Sequence, residues 1–282
     1  MIDELPHLRI VATGSSSLDL ASKVQEPLTG RAWVHRLYPI AMAELRLQYS
    51  RFELDAMLED RLVFGSYPDI FSLAGDDQRR EYLVNLSASY LYKDLLEIGG
   101  IRFSSKLRNL VRLLSFQIGH EVSLSELGSQ LQMSKETVAS YIDLLEQSFV
   151  VFRLGGFSRN LRKEVSKQDK VYFWDLGVRN VVIDNLKPLA QRNDAGALWE
   201  NFVVSERLKW LHGQQMLASL YFWRTYTGAE IDIVEERGGA LHAYECKWTR
   251  AGGRVPESFQ KAYPGASYEI VNRDNVWDYI GA

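Results

Sequence analysis

Gly228-Ala229-Glu230-Ile231-Asp232-Ile233-Val234 and Leu241-His242-Ala243-Tyr244-Glu245-Cys246-Lys247 flank Gly238-Gly239, and this stretch sets the C-terminal fold. A Gly-Gly pair is a favoured two-residue hairpin loop, because its central positions take positive φ. That loop sets residue 237 opposite residue 240. Counting back along both strands then sets Asp232 opposite Glu245 and Glu230 opposite Lys247. Period-two alternation puts all four charged side chains on one face of the ribbon. Opposed Cβ atoms lie roughly 4.5–5.5 Å apart, where two carboxylates repel unless a cation or proton joins them. Hard oxygen donors at that spacing suit Mg2+ or Mn2+. Lys247 points to the same side and can orient an attacking water or neutralise developing phosphate charge. The same pattern also describes a solvated hairpin face with charges placed for solubility. Cys246, on the opposite face, reads as a buried apolar filler rather than a nucleophile.

Around this hairpin the chain alternates strands and helices from about Val165 to the end. Lys170 to Trp174, Leu220 to Thr225 and Tyr268 to Asn272 read as further strands, and Ala197 to Trp210 as a helix with Leu198, Phe202, Val203 and Leu208 apolar. Trp174, Trp199, Trp210 and Trp223 lie in or beside these apolar segments and read as core.

Upstream, from about Ser50 to Gln147, the pattern is helical. Arg51 to Leu62, Gln78 to Ile98 and Lys106 to Gly119 repeat apolar residues at three- and four-residue steps, and Gly65-Ser66-Tyr67-Pro68-Asp69 is a loop signal. Ser123-Leu124-Ser125-Glu126 reads as a capping box, and Ser134 as the cap of a longer helix. Helix, short turn, helix and then a strand from Phe149 to Leu154 is the order of a winged helix-turn-helix. Between Arg153 and Lys170 the basic residues are Arg153, Arg159, Arg162, Lys163, Lys167 and Lys170, against Glu164 and Asp169 only. Such a patch can track phosphates without reading sequence. The helix after Ser134 carries Lys135 but also Glu136, Asp143 and Glu146, which suits packing or dimerisation as well as DNA contact.

The first residues, to about Leu47, read as strand (Leu8 to Thr13), turn (Gly14-Ser15-Ser16-Ser17), helix (Leu18 to Val24) and strand (Trp33 to Leu37). A unit of that size cannot bury a core by itself.

At 282 residues the chain has room for about two domains, or three small ones. With 33 basic and 36 acidic residues its net charge is −3, which excludes a polybasic protein held on nucleic acid by overall charge. The single cysteine excludes an intrachain disulfide and a Cys-rich zinc site, and the five histidines lack metal-ligand spacing. No apolar run approaches the ~18 residues of a membrane span, and the start lacks a signal-peptide pattern. The expectation is a soluble, cytoplasmic protein without a membrane partner.

E-I-D, a turn, then E-C-K resembles the core motif of the PD-(D/E)XK nuclease superfamily, particularly its Holliday-junction-resolvase-like branch. Glu200, in Leu198-Trp199-Glu200-Asn201-Phe202-Val203, matches the glutamate that the superfamily places on the helix before the sheet. The resemblance implies metal ligation by Asp232 and Glu245, assisted by Glu200, with Lys247 acting on water or phosphate. Ile231 stands where the motif's proline would be.

A wider resemblance rests on Thr13-Gly14-Ser15-Ser16-Ser17, Leu28-Thr29-Gly30-Arg31, Gly65-Ser66-Tyr67-Pro68, Lys170-Val171-Tyr172-Phe173-Trp174-Asp175-Leu176-Gly177 and Trp199-Glu200-Asn201-Phe202-Val203. In this order they resemble a bacterial and archaeal family that joins an AAA-type ATPase domain to a C-terminal domain of unknown function similar to PD-(D/E)XK nucleases. The resemblance implies nucleotide-facing roles, in intact relatives, for Thr13 and Ser15 as sensor residues and for Arg31 as a finger acting in trans; in this chain Thr13 and Ser15 to Ser17 also read as a strand end with a helix cap. It also implies ATP as the ligand of intact relatives. The chain has no Gly-Lys dipeptide and so no phosphate-gripping P-loop. Walker A and Walker B are expected before Met1, and no ATP hydrolysis is expected of this chain alone.

The expected fold is an α+β / α/β multidomain chain. Residues 1–49 would be the remnant of an AAA-type α/β domain, 50–160 a helical region with a winged helix-turn-helix, and 161–282 a nuclease-like domain on a mixed sheet. Two functions fit: metal-dependent phosphodiester hydrolysis on DNA, or a non-catalytic DNA-binding or protein-interaction module. A nucleic-acid partner is expected, and self-association through the N-terminal stub is a further expectation.

Overall fold

A computed structural model describes residues 11, 13, 14, 33–88, 104–158, 168–249 and 252–282. After the short helix α1 (Met42–Leu45), α2 (Arg51–Phe64) starts at Ser50, whose hydroxyl accepts from the Glu53 amide while the Glu53 carboxylate takes the Ser50 amide. Leu54, Leu58 and Leu62, one turn apart, are buried along its inner face. A 3-10 turn (Pro68–Phe71) leads to α3 (Asp76–Leu86). In α4 (Ser104–Phe116) the expected stripe of Leu107, Leu110, Val111 and Leu114 is buried.

Helix α5 (Leu124–Leu131), a tight turn and α6 (Lys135–Gln147) follow. Gln132 takes the left-handed conformation, and the Met133 amide returns to the Gly128 carbonyl at 2.8 Å. Ser123 and Ser134 cap the two helices through the amides of Glu126 and Thr137. The expected capping box at Ser123 is only half formed, because the Glu126 carboxylate accepts from Gln130. Next come β1 (Val151–Leu154) and β2 (Lys170–Phe173), antiparallel, with Val151 opposite Phe173 and Leu154 opposite Lys170. The helix–turn–helix and the strand pair thus follow in the expected order.

The remainder comprises α7 (Leu176–Val182), a 3-10 turn (Leu189–Gln191), α8 (Ala195–Gly213), β3 (Ala218–Arg224), β4 (Glu230–Arg237), β5 (Ala240–Cys246), α9 (Glu257–Ala262), β6 (Ser267–Val271) and α10 (Val276–Ile280). The sheet order is β3-β4-β5-β6, antiparallel except for the parallel β5–β6 pair. This is the mixed sheet expected after Val165. The hairpin loop is as read: Gly238 and Gly239 both have positive φ, and Arg237 faces Ala240. Helix α8 is buried on most of its surface and runs through the larger core, with Leu198, Trp199, Phe202, Val203 and Val204 buried beside the polar Asn201, Glu206, Arg207 and Lys209. That core extends from Met42 to Ala282, and a smaller one of Phe157, Trp223, Ile231, Val234, Leu241, Ala243 and Phe259 lies elsewhere on the sheet.

The family-like segments dock these layers. Asn201 of α8 is fully buried and pairs with both main-chain groups of Phe173, accepting from its amide and donating to its carbonyl, each at 2.8 Å. Asp175 caps α7 through the Val178 amide at 3.0 Å and accepts from the Ser66 amide at 2.7 Å. Asn180 donates to the carbonyls of Leu62 and Val63 at the end of α2. These side chains substitute for ladder and cap bonds that the backbone alone would leave unmade.

One expectation is overturned. Trp33 to Leu37 does not form a strand: the segment is irregular, with Trp33 88% exposed and Val34 and Leu37 exposed too. A strand needs a ladder partner, and the described residues supply none here. Thr13 is exposed and outside regular structure. The strand from Leu8, the helix from Leu18, Ser15 and Arg31 lie outside the described residues. No helix among the described residues is long and apolar enough to cross a membrane.

Candidate active site

The β4–β5 ladder has the register read from the loop as far as Ile233 opposite Tyr244, and then the strands part. One step further along this register Asp232 comes opposite Glu245. There the Cys246 amide donates to Asp232 Oδ2 at 2.7 Å, and the Lys247 amide turns to the Val271 carbonyl of β6 at 2.9 Å. On the other side, Tyr221 faces Val234 and Trp223 faces Ile231, so two β4 residues, Asp232 and Ile233, stand against Phe222 alone. Such a bulge re-aims side chains and is a common device beside functional sites. It sets Asp232 into a partly buried position near Glu200 and Glu245.

The electrostatics follow from that crowding. Burial, then the negative charges of Glu200 and Glu245, push the Asp232 carboxyl up to about 8, against the pull of the Cys246 amide and Lys170. Lys247 is 39% exposed and pairs with Glu245 Oε1 at 2.6 Å. Partial burial lowers its proton affinity, but Glu245 and Asp232 more than offset this and hold it above its ordinary value. Cys246 is buried, and burial beside Asp232 and Glu200 pushes its thiol well up, which removes it as a nucleophile.

Glu200 projects from α8 onto β2. Its Oε1 accepts from the Tyr172 hydroxyl at 2.6 Å and from Lys170 Nζ at 3.1 Å, and Gly119 lies against its carboxylate. Lys170 also pairs with Glu230 Oε1 at 2.5 Å, and Arg224 bridges Glu121 at 2.9 Å and Glu230 at 3.9 Å. Burial alone would lower the proton affinity of Lys170, yet Glu200 and Glu230 raise it overall, so the ammonium is firmly charged.

Two expectations change here. Lys170 is not part of a phosphate-tracking surface: it is 1% exposed and its charge is spent on Glu200 and Glu230. Glu230 does not meet Lys247, because the strands have already parted and its carboxylate takes Lys170 instead. Of the other basic candidates, Arg153 pairs with Asp143 at 2.6 Å and with Glu146, tying β1 to α6, and Lys135 is an exposed neighbour of Glu136. Arg159, Arg162, Lys163 and Lys167 lie outside the described residues. The site members that sequence reasoning missed are Tyr172 and the inward role of Lys170. The alternation of Lys170 and Tyr172 on one side of a strand was the available signal.

Among the described residues no three of His, Cys, Asp and Glu stand close enough together to hold a metal ion. The donor chemistry still fits Mg2+, which keeps several waters and takes one or two carboxylates plus substrate phosphate rather than an all-protein cage. Asp232 and Glu245 would be that pair. The repulsion that raises the Asp232 carboxyl is what a cation there would relieve.

Comparison with known proteins places this geometry in context. Residues 1–46 match the model of an AAA domain, 55–189 that of a domain of unknown function (DUF8612), and 195–279 that of another (DUF4143). The chain is 27% identical over 244 residues to an uncharacterized protein of Mycobacterium tuberculosis, covering 86% of this chain and 52% of that one. It is 24% identical over 213 residues to an uncharacterized protein of Methanocaldococcus jannaschii, covering 70% and 46%. It thus spans about half the length of the curated relatives it matches. No solved structure matches it. The AAA match at the N-terminus and the DUF4143 match at the C-terminus make the chain similar to AAA-type ATPase-like proteins.

Proposed function

We propose that the segment from Lys170 onward is a PD-(D/E)XK-like, metal-dependent phosphodiesterase acting on nucleic acid. The observation that carries this reading is the partly buried Asp232 carboxyl, set by a bulge beside Glu245 and Glu200. Asp232 and Glu245 would hold Mg2+ or Mn2+, with Glu200 assisting from α8. When bound, such an ion supplies Lewis acidity toward the phosphodiester and an attacking water. Lys247, charged and partly exposed, offsets the charge that develops on the phosphate and orients the water. Lys170 and Tyr172 hold Glu200 in place.

In the same reading α5, α6 and the β1–β2 pair form a winged helix that contacts the nucleic-acid backbone through Lys135 and the basic residues between Arg153 and Gln168. Residues 1–49 belong to an AAA-type domain, yet this chain alone neither grips nor hydrolyses ATP, because it contains no Gly-Lys pair. Titration with labelled ATP and Mg2+ checks this; micromolar affinity would contradict it.

The test of the main reading is Mn2+- or Mg2+-dependent cleavage of linear, nicked and four-way-junction DNA by the wild type, Asp232→Ala and Lys247→Ala. Cleavage lost in both variants supports it. A second reading, a DNA-binding or protein-interaction module, is favoured by the ammonium groups of Lys170 and Lys247 already lying on Glu200 and Glu245. A wild type that never cuts, yet binds DNA with steep salt dependence, would establish that reading instead.

A further inference from the structure

We propose that the crevice between the helix–turn–helix and the β1–β2 pair binds a free amino acid with an apolar side chain, Asp169 meeting its ammonium and Lys135 its carboxylate. This crevice shares no residue with the Asp232–Glu245 site.

The cavity there measures about 260 Å³. Its floor is apolar, with Val122, Ile142 and Val171 buried and Leu124 beside them. Its rim carries Lys135, Arg153 and Asp169. The walls are tied in place. The Val122 amide donates to the Asp169 carbonyl at 2.9 Å, and Glu121 pairs with Lys170 in a further antiparallel bridge, which together hold the start of α5 on β2. Arg153 joins β1 to α6 through Asp143 and Glu146. Pockets for drug-sized ligands run to roughly 300–1,000 Å³, so this one takes a smaller molecule.

The rim charges define the ligand. Arg153 is already engaged by two carboxylates. Lys135 is available, because its one ion pair, with Glu136, spans 3.9 Å between two exposed side chains and is worth little. Asp169 is partly buried, yet among the described residues no hydrogen bond or ion pair meets its carboxylate. Burial pushes that carboxyl up, against the pull of Arg153, and a cationic group beside it would relieve the cost. A plain carboxylic acid in the crevice would leave Asp169 unmet, and a plain amine would leave Lys135 unmet. A small molecule with both charges and an apolar side chain meets Asp169, Lys135 and the floor together.

The experiment is calorimetric titration of the full chain with L-valine, L-leucine and L-phenylalanine. Each is compared with its amide, which keeps only the ammonium, and with the matching acid that lacks the amino group. The best-bound amino acid is expected to bind about 10- to 100-fold more tightly than either analogue, the loss of one hydrogen bond between charged groups. Asp169→Asn is expected to close the gap between the amino acid and the acid while leaving the gap to the amide. Lys135→Gln is expected to do the reverse. Both substitutions keep the size of the side chain and the main-chain bond between Val122 and Asp169. Binding of none of the three amino acids, an acid or amide that binds as tightly as its amino acid, or gaps that survive in both variants would each overturn the proposal.

Discussion

The Cys246 amide donates to Asp232 Oδ2 at 2.7 Å, so a side chain closes the gap where the β4–β5 ladder stops. That bond needs an acceptor, not a charge. Asp232→Asn can keep it while removing the repulsion with Glu200 and Glu245. The metal-free variant is expected to be more stable than the wild type by ~1–2 kcal/mol, a gain of the kind seen when a functional carboxylate is neutralised. Added Mn2+ should raise the melting temperature of the wild type and leave the variant unmoved. Thermal melts with and without Mn2+ check both statements, and a destabilised variant would contradict the electrostatic account.

Asn201 bonds both main-chain groups of Phe173 from a fully buried position. Asn201→Ala leaves one buried donor and one buried acceptor without partners. The expected cost is ~2–4 kcal/mol, the sum of two desolvated groups and a small cavity. Denaturant titration of the two proteins reads it directly. A loss under about 1 kcal/mol would mean that water or a backbone shift replaces the side chain.

Gly65 ends α2 with φ +75°, and a Cβ there would stand 2.1 Å from Asp175 Oδ1. Gly65→Ala therefore strains the backbone and also displaces the carboxylate that caps α7 and accepts from Ser66. A loss of ~3 kcal/mol is expected, of which backbone strain accounts for ~1. In an Asp175→Ala background the contact is gone, so Gly65→Ala should cost only the strain. This double-mutant cycle fails as an explanation if the two losses simply add.

Acid stability should report on Asp194. Partial burial would raise its carboxyl, but hydrogen bonds from Arg192 and Arg179 prevail and hold it at about 2. Its folded-state value is thus below its unfolded one, and its contribution is fully present above about pH 4 and lost as the pH falls toward 2. Asp194→Asn lacks that contribution at every pH. Denaturation profiles of wild type and variant are expected to differ at pH 5–7 and to converge near pH 2.

What the sequence by itself determined is local. Gly238-Gly239 fixed the hairpin register down to Ile233 and Tyr244, since a two-residue loop leaves one way to pair Arg237 with Ala240. Ser123 and Ser134 marked helix starts, because a hydroxyl there meets an amide three residues on. The stripe from Leu107 to Leu114 marked a buried helix face by its spacing. The tertiary structure decided the rest. The bulge at Asp232–Ile233 depends on how β3 lies against β4. Trp33 to Leu37 has strand composition, yet composition provides no ladder partner. Lys170 reads in sequence as the start of a strand and the last of six basic residues running from Arg153. Its burial depends on Glu200 and Glu230, 30 and 60 positions away, and a lysine is as charged on a surface as in a core. Only the fold determines whether the charge it meets is solvent, phosphate or carboxylate, because those partners are neighbours in space and not in the chain.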